Sequence, residues 1–321
     1  IIKGKKVNPQ KESGPTEFVF RVFTTSPRIQ ALLFCFFLLL YVMIVCGNTT
    51  IICIVCTHNS LHTPMYFFLS NLSFLEICFT TTVVPLMLSN IFGAQKPILL
   101  AGCSAQMFIF LTLGGADCFL LAIMAYDRYV AIRHPLQYTL IMTQKQCTQL
   151  LVGSMSLALL LDLQLTVFIC TLPFCGHILE INHFLRDAPP VLRLACGDIK
   201  IHQAILFMVG TLVLAVPFLL ISISYIFIAN TILRMQSAEG HWRTFSTCFS
   251  HLSVVLLQYG CTSLVYMRPR SSTSEDEDRK LTLIYTIAIP LLNPLIYTLQ
   301  NKDFKDALKK SMSYERASEN Q

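Results

Sequence analysis

Charged side chains are scarce. Asp, Glu, Lys and Arg together make up 13% of the 321 residues, about half the share of an ordinary soluble domain. So few charges cannot cover a water-exposed fold of this size, which excludes a soluble globular protein and leaves a polytopic membrane protein, with the lipid bilayer as its solvent. No long-period repeat links the two halves, which argues against a transporter built from inverted repeats. The apolar stretches contain no nucleophile–base pair and no His/acid pattern at metal-ligand spacing, so an enzyme ranks last and no cofactor is expected. The net charge of +6 is spread along the chain; it suits an anionic lipid surface and is too diffuse to suggest nucleic acid. No cleavable signal peptide is visible, because the first apolar run begins near Ile29 and is too long for one. The chain opens with Ile rather than Met, so the natural N-terminus is expected to be missing or altered, and Ile1–Lys11, with four lysines, reads as a solvated tail.

What the chain does have is long hydrophobic runs. About 20 apolar residues at about 1.5 Å each cross a hydrocarbon core about 30 Å thick. Seven stretches qualify: Ile29–Cys56, Pro64–Leu88, Cys103–Ile132, Gln146–Leu172, Ile201–Met235, Arg243–Met267 and Leu281–Leu299. Breakers fall between them. Pro64 sits at the first turn of span two, where a missing N–H does no harm. Pro97, the pair Pro189-Pro190 and Pro269 lie in connections, the longest of which runs from Pro173 to Lys200. After span seven, Phe304, Ala307, Leu308 and Ser311 recur on one helical face among Lys302, Lys305, Lys309 and Lys310, the pattern of an amphipathic helix lying on a membrane. The expected fold is therefore an all-α seven-transmembrane helix bundle with a short amphipathic C-terminal helix. Its parts are an N-terminal tail over residues 1–28, the membrane domain over 29–299, and a C-terminal helix and tail over 300–321. Charge does not orient it: ten of the 24 Lys and Arg fall on the side of the C-terminus and fourteen on the other, many of these in a tail whose charge has little say in topology.

The stretch Met124–Pro135 carries the sharpest local signal. It ends an apolar run free of basic residues, then places Asp127, Arg128 and Tyr129 together and closes with Pro135. An arginine at the mouth of a membrane helix is costly unless it is paired or reaches water. Asp127 is expected to shield Arg128 at rest and release it when the bundle opens, which describes a switch. Two carboxylates, Glu76 and Asp117, fall about half-way through spans two and three, where each must be protonated, paired or bound to a cation; Asn48 and Asn293 are polar neighbours for them.

Several segments together resemble one known family. They are Gly47-Asn48, Leu61–Leu69, the Met124–Pro135 stretch, Ser224-Tyr225, Phe245–Leu252 and Pro290–Tyr297. In order and spacing the chain resembles the vertebrate olfactory receptors, within the rhodopsin-like (class A) G-protein-coupled receptors, from about Thr16 to Lys310. The resemblance implies a plasma-membrane receptor with its N-terminus outside and C-terminus inside. It also implies small volatile odorants as ligands, and a heterotrimeric G protein of the olfactory Gs type that raises cAMP. It implies that Asp127, Arg128, Tyr129, Tyr225 and Tyr297 form the switch, with Arg234, His241 and Arg243 at the rim of the cleft. It further implies a buried polar hub of Asn48, Glu76, Asp117 and Asn293, with a sodium ion at Glu76 and Asp117. The family usually has Asp in span two and Glu in span three; here the lengths are exchanged.

A cavity for a small volatile molecule needs apolar walls with one or two polar groups. Phe110, Leu111 and Gly114 on span three, Val209 and Val213 on span five, and Tyr259, Thr262, Ser263 and Tyr266 on span six are the candidates, with Thr286 joining from span seven. No basic residue lies in these outer halves, which argues against a carboxylate ligand.

Other positions depart from the family. Of 13 cysteines, ten fall in or near spans and are expected to stay reduced; the others are Cys103, at the very start of span three, and Cys175 and Cys196 in the long connection. The resemblance implies one bond from Cys103 to the long loop and another between Cys175 and Cys196. Arg186 stands where the partner of Cys103 is expected, which leaves Cys103 odd. Arg133 stands where the family has Cys. The sequons at Asn48 and Asn71 fall inside spans and Asn8 is followed by Pro9, so the tail lacks the glycosylation acceptor that the family usually carries. Cys175, His177, His183 and Cys196 could gather a soft metal, but a disulfide beside solvated histidines is the simpler reading. A non-signalling, pseudogene-derived remnant and a polytopic transporter remain as alternatives.

Overall fold

The computed structural model describes residues 17–20, 26–92, 98–172, 178–181, 188–193, 195, 199–234, 238–266, 280–300 and 304–311. Seven long helices form the bundle. Span one is Pro27–Thr57, span two Pro64–Ile91, span three Leu100–Arg133, span four Gln144–Cys170 and span five Lys200–Ile232. Span six is Ala238–Tyr266, and span seven comprises a π-helical turn, Ile284–Ala288, continued by Ile289–Gln300. Six of the seven are long and apolar enough to cross a membrane. Span six, at 29 residues, has the length to cross but a more polar composition, with His251, Gln258 and Tyr259 in its middle. A final helix over residues 304–311 buries Phe304 and Ala307, and Ser311 Oγ lies 3.4 Å from His58 Nε2 at the end of span one.

Local sequence explains the helix starts. Proline opens spans one and two, where its fixed φ suits the first turn. Thr143 caps span four, its hydroxyl accepting from the Gln146 N–H. Span one shows how composition becomes packing. Phe37, Ile44, Asn48, Ile51 and Val55 repeat near whole turns and are buried. Leu32, Phe36, Leu39 and Val42 lie on the other side and are exposed, where lipid tails can meet them. Span three is central and packs against spans two, four, five and six.

At one end of the bundle lies a small sheet that the hydropathy pattern did not suggest. Strand β1 (Glu17–Phe20) runs between β2 (Ile98–Leu99) and β3 (Ile178–Ile181). It is antiparallel to β2 and parallel to β3. Strands this short carry no periodicity of their own. They form because the segment before span one lies beside two connecting segments whose backbone groups need partners.

The closest join between spans one and seven follows from a proline. Pro294 has no N–H, so the carbonyl four residues earlier, on Pro290, loses its helical donor. Asn48 Nδ2 donates to that carbonyl at 3.1 Å, and to its own Ile44 carbonyl at 3.1 Å. Gly47 allows the approach: a Cβ there would already lie 3.4 Å from Pro294 Cβ. An Asn48→Ala variant leaves a buried acceptor unmet, which costs about 1–3 kcal/mol. It is expected to lower the thermal unfolding midpoint of the detergent-purified protein by several degrees.

Candidate functional site

Between spans three, four, five, six and seven lies a cavity of about 570 Å³, counting its mouth. Span three contributes Phe110, Leu111, Gly114, Gly115 and Cys118; span five contributes Leu206, Val209, Gly210 and Val213. Span six presents Gln258, Thr262 and Tyr266 at i, i+4 spacing, and Tyr285 closes the side of span seven. Phe79 on span two stacks on Phe110 with ring centroids 4.7 Å apart, and Tyr285 lies 6.1 Å from Phe110, so one wall is aromatic. Asp162 and Leu165 of span four complete the lining.

Seven of the nine residues chosen from sequence lie around this cavity: Phe110, Leu111, Gly114, Val209, Val213, Thr262 and Tyr266. Tyr259 and Ser263 are not in its wall. Tyr259 turns its hydroxyl to the Cys118 carbonyl at 2.7 Å and packs beside Phe218. Ser263 is one position past Thr262, about 100° around the helix. Thr286 is fully buried, and Tyr285 faces the cavity in its place. The π-helical turn at Ile284–Ala288 explains the shift, since its wider winding breaks the 3.6-residue period on which the choice rested.

Nearer the opposite end is the polar hub. Asn293 Nδ2 donates to Glu76 Oε1, and Asp117 on span three is the acid near Glu76. All four hub residues are buried. Asn48 Oδ1, Glu76 Oε2 and Asp117 Oδ1 have no hydrogen-bond partner among the described residues. Three hard oxygen acceptors in a buried space are a donor set that fits a small monovalent cation. No group of three His, Cys, Asp or Glu residues gathers among the described residues.

The residues expected to form a switch are arranged differently from the expectation. Asp127 and Arg128 form no ion pair with each other; adjacent residues on a helix point about 100° apart. Asp127 accepts instead from the Tyr138 hydroxyl at 2.8 Å, on the short helix Tyr138–Ile141 between spans three and four. Arg128 reaches across to Met65 Sδ at the start of span two. Tyr225 meets His251 Nδ1 at 2.8 Å, its ring stacked on the imidazole, and donates to the Cys248 carbonyl at 3.3 Å. The Tyr297 hydroxyl is buried without a hydrogen-bond partner among the described residues. Tyr129 packs edge-on to His134 and beside Phe227. The Arg133 guanidinium lies 5.2 Å over the Phe227 ring, so this departure from the family is accommodated by a cation–π contact. Arg243 lies on span six, its side chain outside the described residues, as is that of His241.

Comparison with known proteins fits this geometry. The olfactory receptor family matches residues 35–315. Human olfactory receptor 10Q1 is 68% identical over 316 residues, covering 98% of both chains. The chain belongs to the olfactory receptor family. Human olfactory receptor 10V1 is 52% identical over 92% of this receptor and 96% of its own length. Mouse olfactory receptor 10J5 is 45% identical over 91% and 94%. The receptor is thus a rhodopsin-like G-protein-coupled receptor, a multi-pass plasma-membrane protein of a signalling family rather than of an enzyme family. Odorant ligands and G-protein coupling come with that membership.

Sequence reasoning missed Asp162, Gln258 and Tyr138. Asp162 lies within span four, and nothing in sequence placed that span against the cavity. Tyr138 lies in a connection whose fold back onto span three is a tertiary event. Cys103 is buried at the end of span three beside Leu165, Ile169 and Leu172. Cys175, Cys196, Arg186, His177 and His183 lie outside the described residues, as does the tail before residue 17.

Burial first, and then the neighbouring Asp127 carboxylate, hold the Tyr138 phenol above its ordinary range. A raised folded-state value means the stabilisation is fully present below the unfolded value of about 10 and is lost only as pH rises through the raised one. The Tyr138–Asp127 bond is therefore expected to be unaffected by pH between 6 and 9 (roughly the range between free His and free Tyr titration). Tyr138→Phe removes the donor and is expected to raise ligand-independent G-protein activation about threefold to tenfold, in line with a charge-assisted bond lost from one state only. A concentration series of G protein on membranes bearing each form measures it.

Proposed function

We propose that the receptor binds small volatile molecules in the cavity between spans three to seven and activates a heterotrimeric G protein of the olfactory Gs type, raising cAMP. The observation that carries this reading is the cavity itself: it is bordered by five helices, mostly apolar, and provided with few polar groups. The N-terminus lies outside the cell and the C-terminus inside, so the cavity opens outward and Arg128 sits at the cytoplasmic end. The tail at residues 1–28 leads into the bundle at 29–299, which acts as the sensor, and the C-terminal segment at 300–321 rests on the membrane surface.

On ligand binding, span six moves outward. Tyr225 leaves His251, Arg128 leaves Met65, and Tyr225 and Tyr297 turn toward Arg128 as a cleft opens for the G protein, with Arg243 on its rim. Two discrete arrangements of the same side chains are what a ligand with different affinity for each can bias. Asn48, Glu76, Asp117 and Asn293 would hold a sodium ion in the resting arrangement, where its charge offsets the two carboxyls. Support comes from the three oxygen acceptors that face no donor among the described residues.

Two variants test the reading. Val209→Trp fills the cavity and is expected to abolish cAMP responses to a volatile panel while surface expression is retained. Arg128→Ala is expected to retain ligand-dependent thermal stabilisation while losing G-protein activation. Full cAMP responses from both variants would overturn the reading. For the hub, replacing sodium with N-methylglucamine is expected to raise basal activity in the native receptor and to leave Glu76→Gln unchanged.

A further inference from the structure

Resting on that reading of the cavity, we infer that the ligand carries an aromatic ring and that Gly114 is the residue that admits it. Gly114 and Gly115 of span three and Gly210 of span five all lie in the cavity wall, but they are not equivalent. A Cβ on Gly115 would meet side chains of two other helices at once: Asp162 Oδ2 at 3.1 Å, Val213 Cγ1 at 3.5 Å and Ala158 Cβ at 3.6 Å. That glycine serves the packing of spans three, four and five. A Cβ on Gly114 would meet one heavy atom within 4 Å among the described residues, Phe79 Cε2 at 3.5 Å. This is an ordinary contact, so the protein could hold a methyl there without moving. Alanine is also the better helix former in mid-helix. Glycine at 114 therefore leaves open a space that belongs to the cavity, floored by bare helix backbone. Gly210 is open as well, with Tyr266 Cβ at 3.9 Å. What sets Gly114 apart is the cluster of rings next to it.

Phe110 precedes Gly114 by four residues, on the same face of span three. Phe79 stacks on Phe110 with ring planes 25° apart and centroids 4.7 Å apart. Tyr285 lies tilted against both, 6.5 Å from Phe79 and 6.1 Å from Phe110. All three rings line the cavity. A further ring laid on the Gly114 backbone joins this cluster beside Phe79. Rings in offset or edge-to-face contact gain more than the area they bury. A rigid ring also loses less freedom on binding than an open chain of equal size. A saturated ring is rigid too, but it is thicker and lacks the quadrupole that orders aromatic pairs. A methyl at position 114 would occupy the place of the ligand ring, so this glycine determines specificity: it admits a ring that alanine would exclude.

The test uses full-length receptor purified in detergent and three sets of probes, each matched in heavy-atom count and polar group. The alcohols are benzyl alcohol, cyclohexylmethanol and heptan-1-ol; the ketones are acetophenone, cyclohexyl methyl ketone and octan-2-one; the ethers are anisole, cyclohexyl methyl ether and hexyl methyl ether. Thermal unfolding is followed over a concentration series. In at least one set the aromatic member is expected to raise the midpoint more than its two counterparts. Gly114→Ala is expected to keep the ligand-free midpoint or raise it, and to need about tenfold or more of the aromatic probe for the same shift, as when a methyl group too many enters an apolar pocket. Gly260→Ala on span six is the control: a Cβ there meets nothing within 4 Å among the described residues, and Gly260 is not among the lining residues. It is expected to leave the aromatic shift unchanged. No shift from any aromatic probe, or saturated and open-chain probes that match the aromatic one in every set, overturn the inference. So does an aromatic shift unchanged in Gly114→Ala, or one lost equally in Gly260→Ala. Should Gly114→Ala not fold, the contrast within each set on the native receptor still decides. A cAMP assay on the same probes separates the two readings. Aromatic binding that depends on Gly114 without cAMP upholds the ring site and sinks the Gs reading; cAMP driven by open-chain probes without aromatic binding does the reverse.

Discussion

Pro294 removes one backbone donor from the seventh span, and much of the bundle is arranged around that loss. In hydrocarbon there is no water to take the place of a missing N–H, so the exposed Pro290 carbonyl must find a protein partner. Asn48 provides it from span one, and Gly47 permits the approach. One residue before the proline, Asn293 donates to Glu76 on span two. A single helix irregularity thereby ties spans one, two and seven together through buried polar groups. Such bonds are directional, whereas apolar packing between helices is not, so they set the register of the three helices.

The same logic separates the two ends of the receptor. Toward one end, polar groups are met by other polar groups: Tyr138 by Asp127, Tyr225 by His251, Tyr259 by the Cys118 carbonyl. Toward the other, the helices part around a space lined mostly by aliphatic and aromatic carbon, with Asp162 the acid among the described lining residues. Tyr259 lies at the boundary, its ring beside Phe218 and its hydroxyl on span three. That bond ties span six to span three. The Arg133 guanidinium rests on Phe227 of span five, and so joins the adjacent ends of spans three and five.

Hydropathy was sufficient for six of the spans, the sixth in order being more polar. Each of the seven runs read from sequence lies within a few residues of its helix, because a bilayer admits only stretches of sufficient length with every backbone bond closed internally. The amphipathic terminal helix was legible for a related reason: Phe304 and Ala307 recur at helical spacing and are both buried. The buried acids and the Asp127–Arg128–Tyr129 triplet also declared themselves, since charge in an apolar run is conspicuous.

Partners were not legible, because they depend on helix rotation and on segments that have no period of their own. Asp127 next to Arg128 in sequence is directed elsewhere in space. Gln258 rather than Tyr259, and Tyr285 rather than Thr286, face the cavity, the latter because a π-helical turn shifts the face by a fraction of a turn. The strands at Glu17–Phe20, Ile98–Leu99 and Ile178–Ile181 are each too short to signal themselves and exist only as a set. The amino-acid sequence by itself thus determined the membrane class, the seven spans and the family, since each rests on hydrophobicity and local pattern. Only the tertiary structure decided which polar groups meet and that span four brings a carboxyl to the cavity, because those follow from how seven cylinders are turned against one another.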